Sequence, residues 1–288
     1  MSIVVTGATG SLGRLVVGEL LATVPAEQIA AVVRDKEKAA DLAARGVELR
    51  IADYSRPETL AGAFRAGDRV LLISTNGVGQ EVAQHTAVIE AAKAAGVAQL
   101  AYTGVLGGPE ADFKVAVEHR VTERLILDSG LPYTFLRNGW YTENYTDQLA
   151  PVLKYNAVVQ SAGEGRVASA ARADYAAAAA AVLTGDGHLG QAYELSGDVA
   201  WSLAEYAAEL SRQLGRTITY NNVPAQTHLT MLTGAGLSQP FAEILVDLDA
   251  AIERGLLAAT PGDLARLTGR PTTPLADTVA AALAVAHS

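Results

Sequence analysis

The sequence predicts a doubly wound α/β protein: one parallel sheet with helices on both faces, followed by a smaller, mostly helical C-terminal part. Three observations carry this. From residue 2 to about residue 137, short runs rich in Val, Ile and Leu alternate with helical patterns. The central runs show little apolar–polar alternation, the mark of strands buried on both faces of a parallel sheet. The joints between them are short and contain glycine, which suits repeated right-handed βα units.

The elements follow in order. "SIVVTG" reads as a strand, "LGRLVVGELLATV" as a helix, "IAAVVRD" as a strand and "EKAADLAARG" as a helix. Next come a strand in "VELRIADY", a helix in "PETLAGAFRAG" and a strand in "DRVLLIST". "QHTAVIEAAKAAG" is a helix, "AQLAYTG" a strand and "FKVAVEHRVTERLI" a helix. Beyond Arg137 the rhythm changes. A helix starting near Arg172 and the run "QAYELSG" read as further framework. Ser202 and Glu205 stand at capping-box spacing, with Gly215 as a stop. Helical pieces follow at 226–233 and 241–254, and Thr273 and Pro274 announce a last helix. These pieces hold too few strands for a second sheet. They are expected to cap the C-terminal edge of the first sheet, where ligands of such folds bind.

Composition narrows the partners. The 288 residues carry a net charge of −9, which argues against nucleic acid or an anionic membrane as a main partner. There is no cysteine, so disulfides, thiolate metal sites and a cysteine nucleophile are excluded. The five histidines show no metal-ligand spacing, so no metal is expected. Neither a Gly-Lys-Ser/Thr phosphate loop nor a Gly-x-Ser-x-Gly elbow occurs. The alanine-rich run at 175–183 falls far short of the ~20 residues that span a bilayer. The first apolar run is entered by Ile3 without a basic leader, and a cytoplasmic location is expected.

The most informative stretch is Thr6 to Gly13, "TGATGSLG", where a strand should end and a helix begin. Glycine is costly in a folded chain unless a turn or a close approach requires it. A strand–glycine–helix junction is the setting of a dinucleotide fingerprint, here with glycines at intervals of three. Gly7 permits the turn, Gly10 lets the backbone approach a pyrophosphate, and Gly13 lets the helix pack closely. The cofactor-binding set is therefore Gly7, Ala8, Thr9, Gly10, Ser11, Leu12 and Gly13. About 20 residues on, NAD sites place an acid against the ribose 2′-hydroxyl. Arg34 stands there, followed by Asp35. A guanidinium suits a 2′-phosphate, so NADPH is expected, with NADH weaker and Asp35 as the alternative contact. Residues 1–150 are read as a dinucleotide-binding Rossmann domain, and 151–288 as further framework plus a substrate-side cap.

The segments "VTGATGSLG", "VVRD", "LLIST", "AAKAAGV", "LRNGWYTENY" and "ASAARADYAAAAA" together resemble the NmrA-like group of atypical short-chain dehydrogenases/reductases. Within that group the sequence is most similar to bacterial type 2 NAD(P)H:quinone oxidoreductases and the related triphenylmethane reductases. The resemblance runs nearly end to end, through "LTGRPTTPLADTVA". It implies that Ser74, Thr75 and Asn76 line the cofactor ribose and pyrophosphate. It also implies that Asn138, Gly139, Trp140, Tyr141, Thr142 and Glu143 form the loop beside the nicotinamide. The partner would be a small quinone-like or dye-like acceptor, and a homodimer is allowed. The same resemblance admits a non-catalytic NADP(H)-sensing regulator that acts through a protein partner.

One part of the group's common apparatus is absent. Most short-chain dehydrogenases use a Tyr-x-x-x-Lys pair as general acid, and no tyrosine here has lysine four residues on. Tyr102 is followed by Leu106, Tyr133 by Arg137 and Tyr175 by Ala179. The helix that should carry the pair holds Glu118, His119 and Glu123, and His119 reads as a surface residue before a proton donor. Reduction of a simple ketone leaves a strongly basic alkoxide that needs a positioned acid. Reduction of a quinone leaves a delocalised anion that solvent can protonate. The absence points to a quinone or dye reductase working by proximity, with no catalytic side chain assigned. It disfavours an epimerase of the same fold. Trp140 and Tyr141 could stack on a flat aromatic substrate, with core packing the preferred reading, and Asp174 is read as a cap or fold-locking residue.

Overall fold

The computed structural model describes residues 2–75 and 79–286. In chain order the strands are β1 (Ile3–Val5), β2 (Ile29–Val33), β3 (Glu48–Ile51), β4 (Arg69–Leu72), β5 (Gln99–Val105), β6 (Tyr133–Asn138), β7 (Ala157–Gln160), β8 (Arg166–Val167), β9 (Gln191–Leu195), β10 (Trp201–Ser202) and β11 (Thr219–Asn222). Seven of them form one sheet in the order β3-β2-β1-β4-β5-β6-β9, and every neighbouring pair is parallel. The doubly wound architecture expected from the alternating pattern is what forms. Its order reverses between β1 and β4, which opens a crevice at their C-terminal ends.

The helices are α1 (Ser11–Thr23), α2 (Ala40–Ala44), α3 (Glu81–Ala95), α4 (Ala116–Ser129), α5 (Glu143–Thr146), α6 (Leu149–Tyr155), α7 (Arg172–Thr184), α8 (Leu203–Leu214), α9 (Ala225–Gly234), α10 (Gln239–Glu253), α11 (Asp263–Thr268) and α12 (Leu275–Ala286). Helices α1 and α7 cover one face of the sheet, where Val16, Val17 and Leu20 pack with Ala176, Ala179, Ala180 and Leu183. The alanines are why α7 fits there: small side chains let two helix backbones lie close over the sheet. Helices α3 and α4 cover the other face, around Val88, Leu100, Tyr102 and Ile126. A third apolar cluster gathers residues from both halves of the chain, Phe113, Tyr145, Trp201, Tyr206, Leu248 and Ile252 among them. The pairs β7–β11 and β8–β10 are two-stranded and lie outside the main sheet.

Several segments depart from the sequence pattern. The helix expected in "PETLAGAFRAG" is one 3-10 turn, Pro57–Leu60. Gly62 at φ +88° and Gly67 at φ +80° leave the helical region, while Leu60 and Phe64 are still buried. The apolar spacing that suggested a helix is met by an irregular loop. The helix expected over "EKAADLAARG" is a 3-10 turn, Glu37–Ala39, running into the five-residue α2. The strand in "VELRIADY" is confined to β3, because Asp53 onward is tied back through Thr59. The C-terminal half, expected to hold too few strands for a sheet of its own, adds two two-stranded pairs, while the cap of α8 forms as expected. Ser202 and Glu205 make the capping box of α8, and Gly215 closes that helix in the left-handed region.

Asp174 does lock the fold. It is 1% exposed in the first turn of α7, and its carboxylate accepts the Thr273 N–H (2.8 Å), the Thr273 hydroxyl (3.1 Å) and Arg270 Nη1 (2.7 Å). Asp174→Ala removes the acceptor and leaves the Thr273 N–H without its partner. Hydrogen bonds to a charged group are worth about 1.5–3 kcal/mol each. The variant should unfold at lower urea, with stability reduced by about 2–4 kcal/mol and an unchanged m-value.

Candidate active site

At the end of β1 the Thr6 N–H donates to the Leu71 carbonyl of β4 (3.0 Å), and the chain then turns at Gly7, φ +58°. The Gly10 N–H closes the turn on the Gly7 carbonyl (2.9 Å), and Gly10 caps α1 without any side-chain acceptor. The first N–H groups of α1 therefore point outward unclaimed by a capping side chain, at the positive end of the helix dipole. The glycines divide the work. A Cβ on Gly13 would lie 2.3 Å from the Gly7 oxygen and 2.7 Å from Ala8 Cα, so the protein itself forbids one. A Cβ on Gly10 would meet only the Gly7 oxygen, at 3.2 Å. Its smallness serves whatever approaches from outside. Ala8 and Leu12 face the core, whereas Gly10 and Ser11 are exposed along the crevice.

Arg34 follows β2 into solvent and makes no hydrogen bond or ion pair with any described residue. The neighbouring Asp35 is occupied: its Oδ1 accepts the Glu37 N–H (2.8 Å) and the Lys38 N–H (3.4 Å). Of the two side chains weighed for the 2′ position, the guanidinium has no partner among the described residues, whereas the carboxylate is held through one oxygen. Arg14 of α1 reaches over to the Asp41 carboxylate and the Lys38 carbonyl, fastening this loop to the glycine turn. Tyr54 lies beneath, its hydroxyl beside the Thr6 side chain and the Gly7 backbone. Burial pushes that phenol up to about 12.

Past β4, Ser74 and Thr75 continue along the crevice. The Ser74 N–H donates to Thr103 Oγ1 (2.8 Å) and the Thr75 N–H to His85 Nε2 (3.2 Å). Asn76, expected to line the same stretch, lies outside the described residues. His119 corrects its reading as a surface residue. Its Nδ1 is 2.7 Å from the Tyr102 hydroxyl and it is partly buried against α4's neighbours. Burial holds both His85 and His119 down to about 4, so both are neutral at pH 7. Burial likewise moves the Tyr102 phenol upward.

After β6 the loop is laced on both sides. The Gly139 N–H donates to Leu195 O (2.6 Å), Thr142 N–H to Ala170 O (2.9 Å), and Thr142 Oγ1 meets Ser169 Oγ (2.7 Å). Asn138 donates to the Tyr141 hydroxyl (3.2 Å), and its own Oδ1 is buried without a partner. Tyr141 lies edge-on to Tyr175 at 5.1 Å, with the Arg172 guanidinium over its ring, while Trp140 packs on the third apolar cluster. Glu143 accepts the Arg172 N–H through both oxygens (2.8 and 2.9 Å), which caps α7. Behind the loop, Arg137 makes a two-pronged pair with the buried Glu123 (2.9 and 2.8 Å) and reaches Glu194 at 2.8 Å.

At the C-terminal ends of the strands stand an uncapped helix start, the guanidinium of Arg34 and, among the described residues, three buried polar atoms without partners: Tyr54 OH, Thr75 Oγ1 and Asn138 Oδ1. Tyr54, His85 and Thr103 were not singled out from sequence, since a lone polar residue near a strand end carries no pattern. Among the described residues no three His, Asp or Glu side chains cluster as a metal site, and no helix is long and apolar enough to cross a membrane.

Two buried neutral histidines make the fold acid-sensitive in a defined window. Their folded values, about 4, lie below the ordinary 6.5, so the unfolded chain takes up these protons first. The stability they contribute is complete above pH 6.5 and is lost as pH falls toward 4. Each should cost about 1–2 kcal/mol by pH 5. Urea midpoints at pH 7 and pH 5 should converge for His119→Gln relative to wild type; an equal loss in both proteins would contradict this.

Residues 1–252 match the NmrA-like family. Quinone oxidoreductase 2 of Escherichia coli is 46% identical over 277 residues, which cover 96% of this chain and 97% of that protein. The solved structure of the Escherichia coli NADPH-dependent quinone oxidoreductase complexed with NADPH has a TM-score of 0.95 at 45% identity, covering 98% of this chain and 99% of that one. Citrobacter sp. triphenylmethane reductase complexed with NADP(H) has a TM-score of 0.93 at 41% identity, covering 98% of this chain and 100% of that one. The likeness carried by the glycine turn and by "LRNGWYTENY" therefore extends to the whole fold. Sequence and structure agree over nearly the full length, and the chain belongs to the NmrA-like family.

Proposed function

We propose that this protein is an oxidoreductase that uses NADPH to reduce quinones and similar electron-poor conjugated acceptors. One observation carries the reading: beside a turn suited to a phosphate-bearing dinucleotide the sequence has no Tyr-x-x-x-Lys acid pair, and the two described histidines nearby are neutral at pH 7. The names of its relatives, quinone oxidoreductase and triphenylmethane reductase, support the same chemistry.

The residues present fit NADPH. The uncapped start of α1 and the bare Cα of Gly10 suit a pyrophosphate, and the free Arg34 suits a 2′-phosphate while Asp35 is engaged elsewhere. Thr75 Oγ1 and Asn138 Oδ1 offer partners for the ribose and carboxamide further along. When bound, NADPH supplies a hydride. The chain's own task is to hold donor and acceptor in contact, since proximity alone removes much of the barrier. Asn138 to Glu143 do this as a braced loop: Glu143 is fixed on α7, Thr142 on Ser169, and Tyr141 on Asn138. Among the described residues, His119 is neutral at pH 7, and the Tyr102 phenol is made a weaker acid by burial and is engaged with His119. The product anion takes its proton from solvent, which limits the acceptors to those whose reduced form is weakly basic. The division near residue 150 into a dinucleotide-binding part and a substrate-side part belongs to this reading. So does work in the cytoplasm on small molecules; the charge of −9 argues against nucleic acid or an anionic membrane as the main partner.

Steady-state oxidation of NADPH should be rapid with simple quinones, measurable with triphenylmethane dyes and absent with aliphatic ketones. Single replacement of His119, Glu118 or Tyr102 should cost less than the ~100-fold expected of a general acid. Tight NADPH binding with no turnover of any acceptor would instead indicate a sensor.

Cofactor choice tests Arg34 separately. Charge-assisted hydrogen bonds to a 2′-phosphate are worth about 1.5–3 kcal/mol, so Arg34→Ala should weaken NADPH about 10- to 150-fold and leave NADH nearly unchanged. The loss should shrink as salt rises, because the contact is exposed. Dissociation constants for both nucleotides decide the matter, and equal losses would remove Arg34 from phosphate recognition.

A further inference from the structure

The backbone leaving β4 is held by side chains where a strand would use peptide groups. The Ile73 N–H donates to Thr6 Oγ1 (3.1 Å), the Ser74 N–H to Thr103 Oγ1 (2.8 Å) and the Thr75 N–H to His85 Nε2 (3.2 Å). Three successive donors are thus taken by the glycine turn, by β5 and by α3. The last of these acceptors is an imidazole 1% exposed.

Its surroundings determine its state. Accepting at Nε2 requires the lone pair there, so the ring proton sits on Nδ1 and is donated to Thr122 Oγ1 at 2.9 Å. The Thr122 hydroxyl in turn donates to the Glu118 carbonyl at 2.9 Å, and Thr122 is fully buried. The Tyr102 ring stands edge-on to the imidazole at 5.6 Å, and His119 lies beyond it on the Tyr102 hydroxyl. His85 is therefore confined to one tautomer and one orientation, by α4 on one side and β5 on another. Its hydrogen bond reaches the crevice through Thr75, whose own Oγ1 has no partner among the described residues.

We propose that His85 is a positioning residue for the dinucleotide: its Nε2 lone pair fixes the Thr75 peptide, and so sets NADPH affinity without touching the cofactor. This rests on the NADPH reading above. A histidine merely filling the core between α3 and α4 would matter for stability but not for where Thr75 stands. The two roles separate by acceptor chemistry. Glutamine can present Oε1 near the position of Nε2, whereas leucine fills the space and accepts nothing.

The test uses His85→Leu, His85→Gln and Thr122→Val in the full-length protein. NADPH affinity is followed by fluorescence titration, KM and kcat are measured with one simple quinone, and urea midpoints are taken for the free proteins. His85→Leu should raise both the NADPH Kd and KM about 5- to 10-fold while kcat changes less than about 2-fold. His85→Gln should restore affinity to within about 2-fold of wild type. Thr122→Val keeps the acceptor but frees the ring, and should fall between them. A folded His85→Leu that binds NADPH like wild type overturns the proposal, as does a folded His85→Gln no better than His85→Leu. Should His85→Leu not fold, wild-type affinity in Thr122→Val overturns it. If the wild type binds neither NADPH nor NADH, the functional reading fails and takes this inference with it; binding by wild type with indifferent variants sinks the inference alone.

Discussion

Helix α1 can lie where it does only because Gly13 has no side chain. Its Cα direction points into the Gly7 carbonyl, where a methyl group would sit at 2.3 Å. That one contact brings the start of α1 against the end of β1, and much of the architecture follows. Val16, Val17 and Leu20 are then level with the alanines of α7, so one face of the sheet is closed by two closely packed backbones. The same contact aims the first turn of α1 along the crevice between β1 and β4. A packing constraint inside the protein and a binding surface outside it are thus two consequences of one missing Cβ.

The opposite face is organised by polar groups. His85, Thr122, Tyr102 and His119 form a seam between α3, α4 and β5, each paired and each uncharged at neutral pH. Buried polar groups are tolerated when every member is satisfied. Here the seam carries no charged group at neutral pH, which agrees with acceptors whose reduced forms need no proton relay. The charges nearby are spent elsewhere, in the Glu123–Arg137–Glu194 cluster that stiffens the end of β6.

Legibility from sequence followed the physics of each signal. The buried strands, long helices and glycine turn were plain because their signals are local: hydrophobic period, a capping box, glycine where φ is positive. Arg34 was legible by its distance from the glycines. That Asp35 would turn onto its own loop was not, because an Asx turn and a ribose contact ask the same of the residue. The segment from Pro57 misled because Leu60 and Phe64 keep helical spacing while Gly62 departs from it. Glu143 and His85 show the other limit. Their partners, Arg172 and Thr75, lie 29 and 10 residues away, on other elements. Only the folded topology makes those pairings visible.

The strap between α7 and the segment before α12 bears on the order in which this chain completes itself. The sheet takes its outermost strand, β9, and one of its covering helices, α7, from beyond residue 150. Asp174 in that helix then waits for Arg270 and Thr273, almost a hundred residues later. A nascent chain emerging N-terminus first has β1 to β6 exposed well before these pieces exist. Its apolar face over α1 remains uncovered in that interval, the condition under which partly made domains aggregate. The face of the sheet behind the glycine turn is therefore completed by α7, and α7 is in turn fastened by residues almost a hundred positions further along the chain.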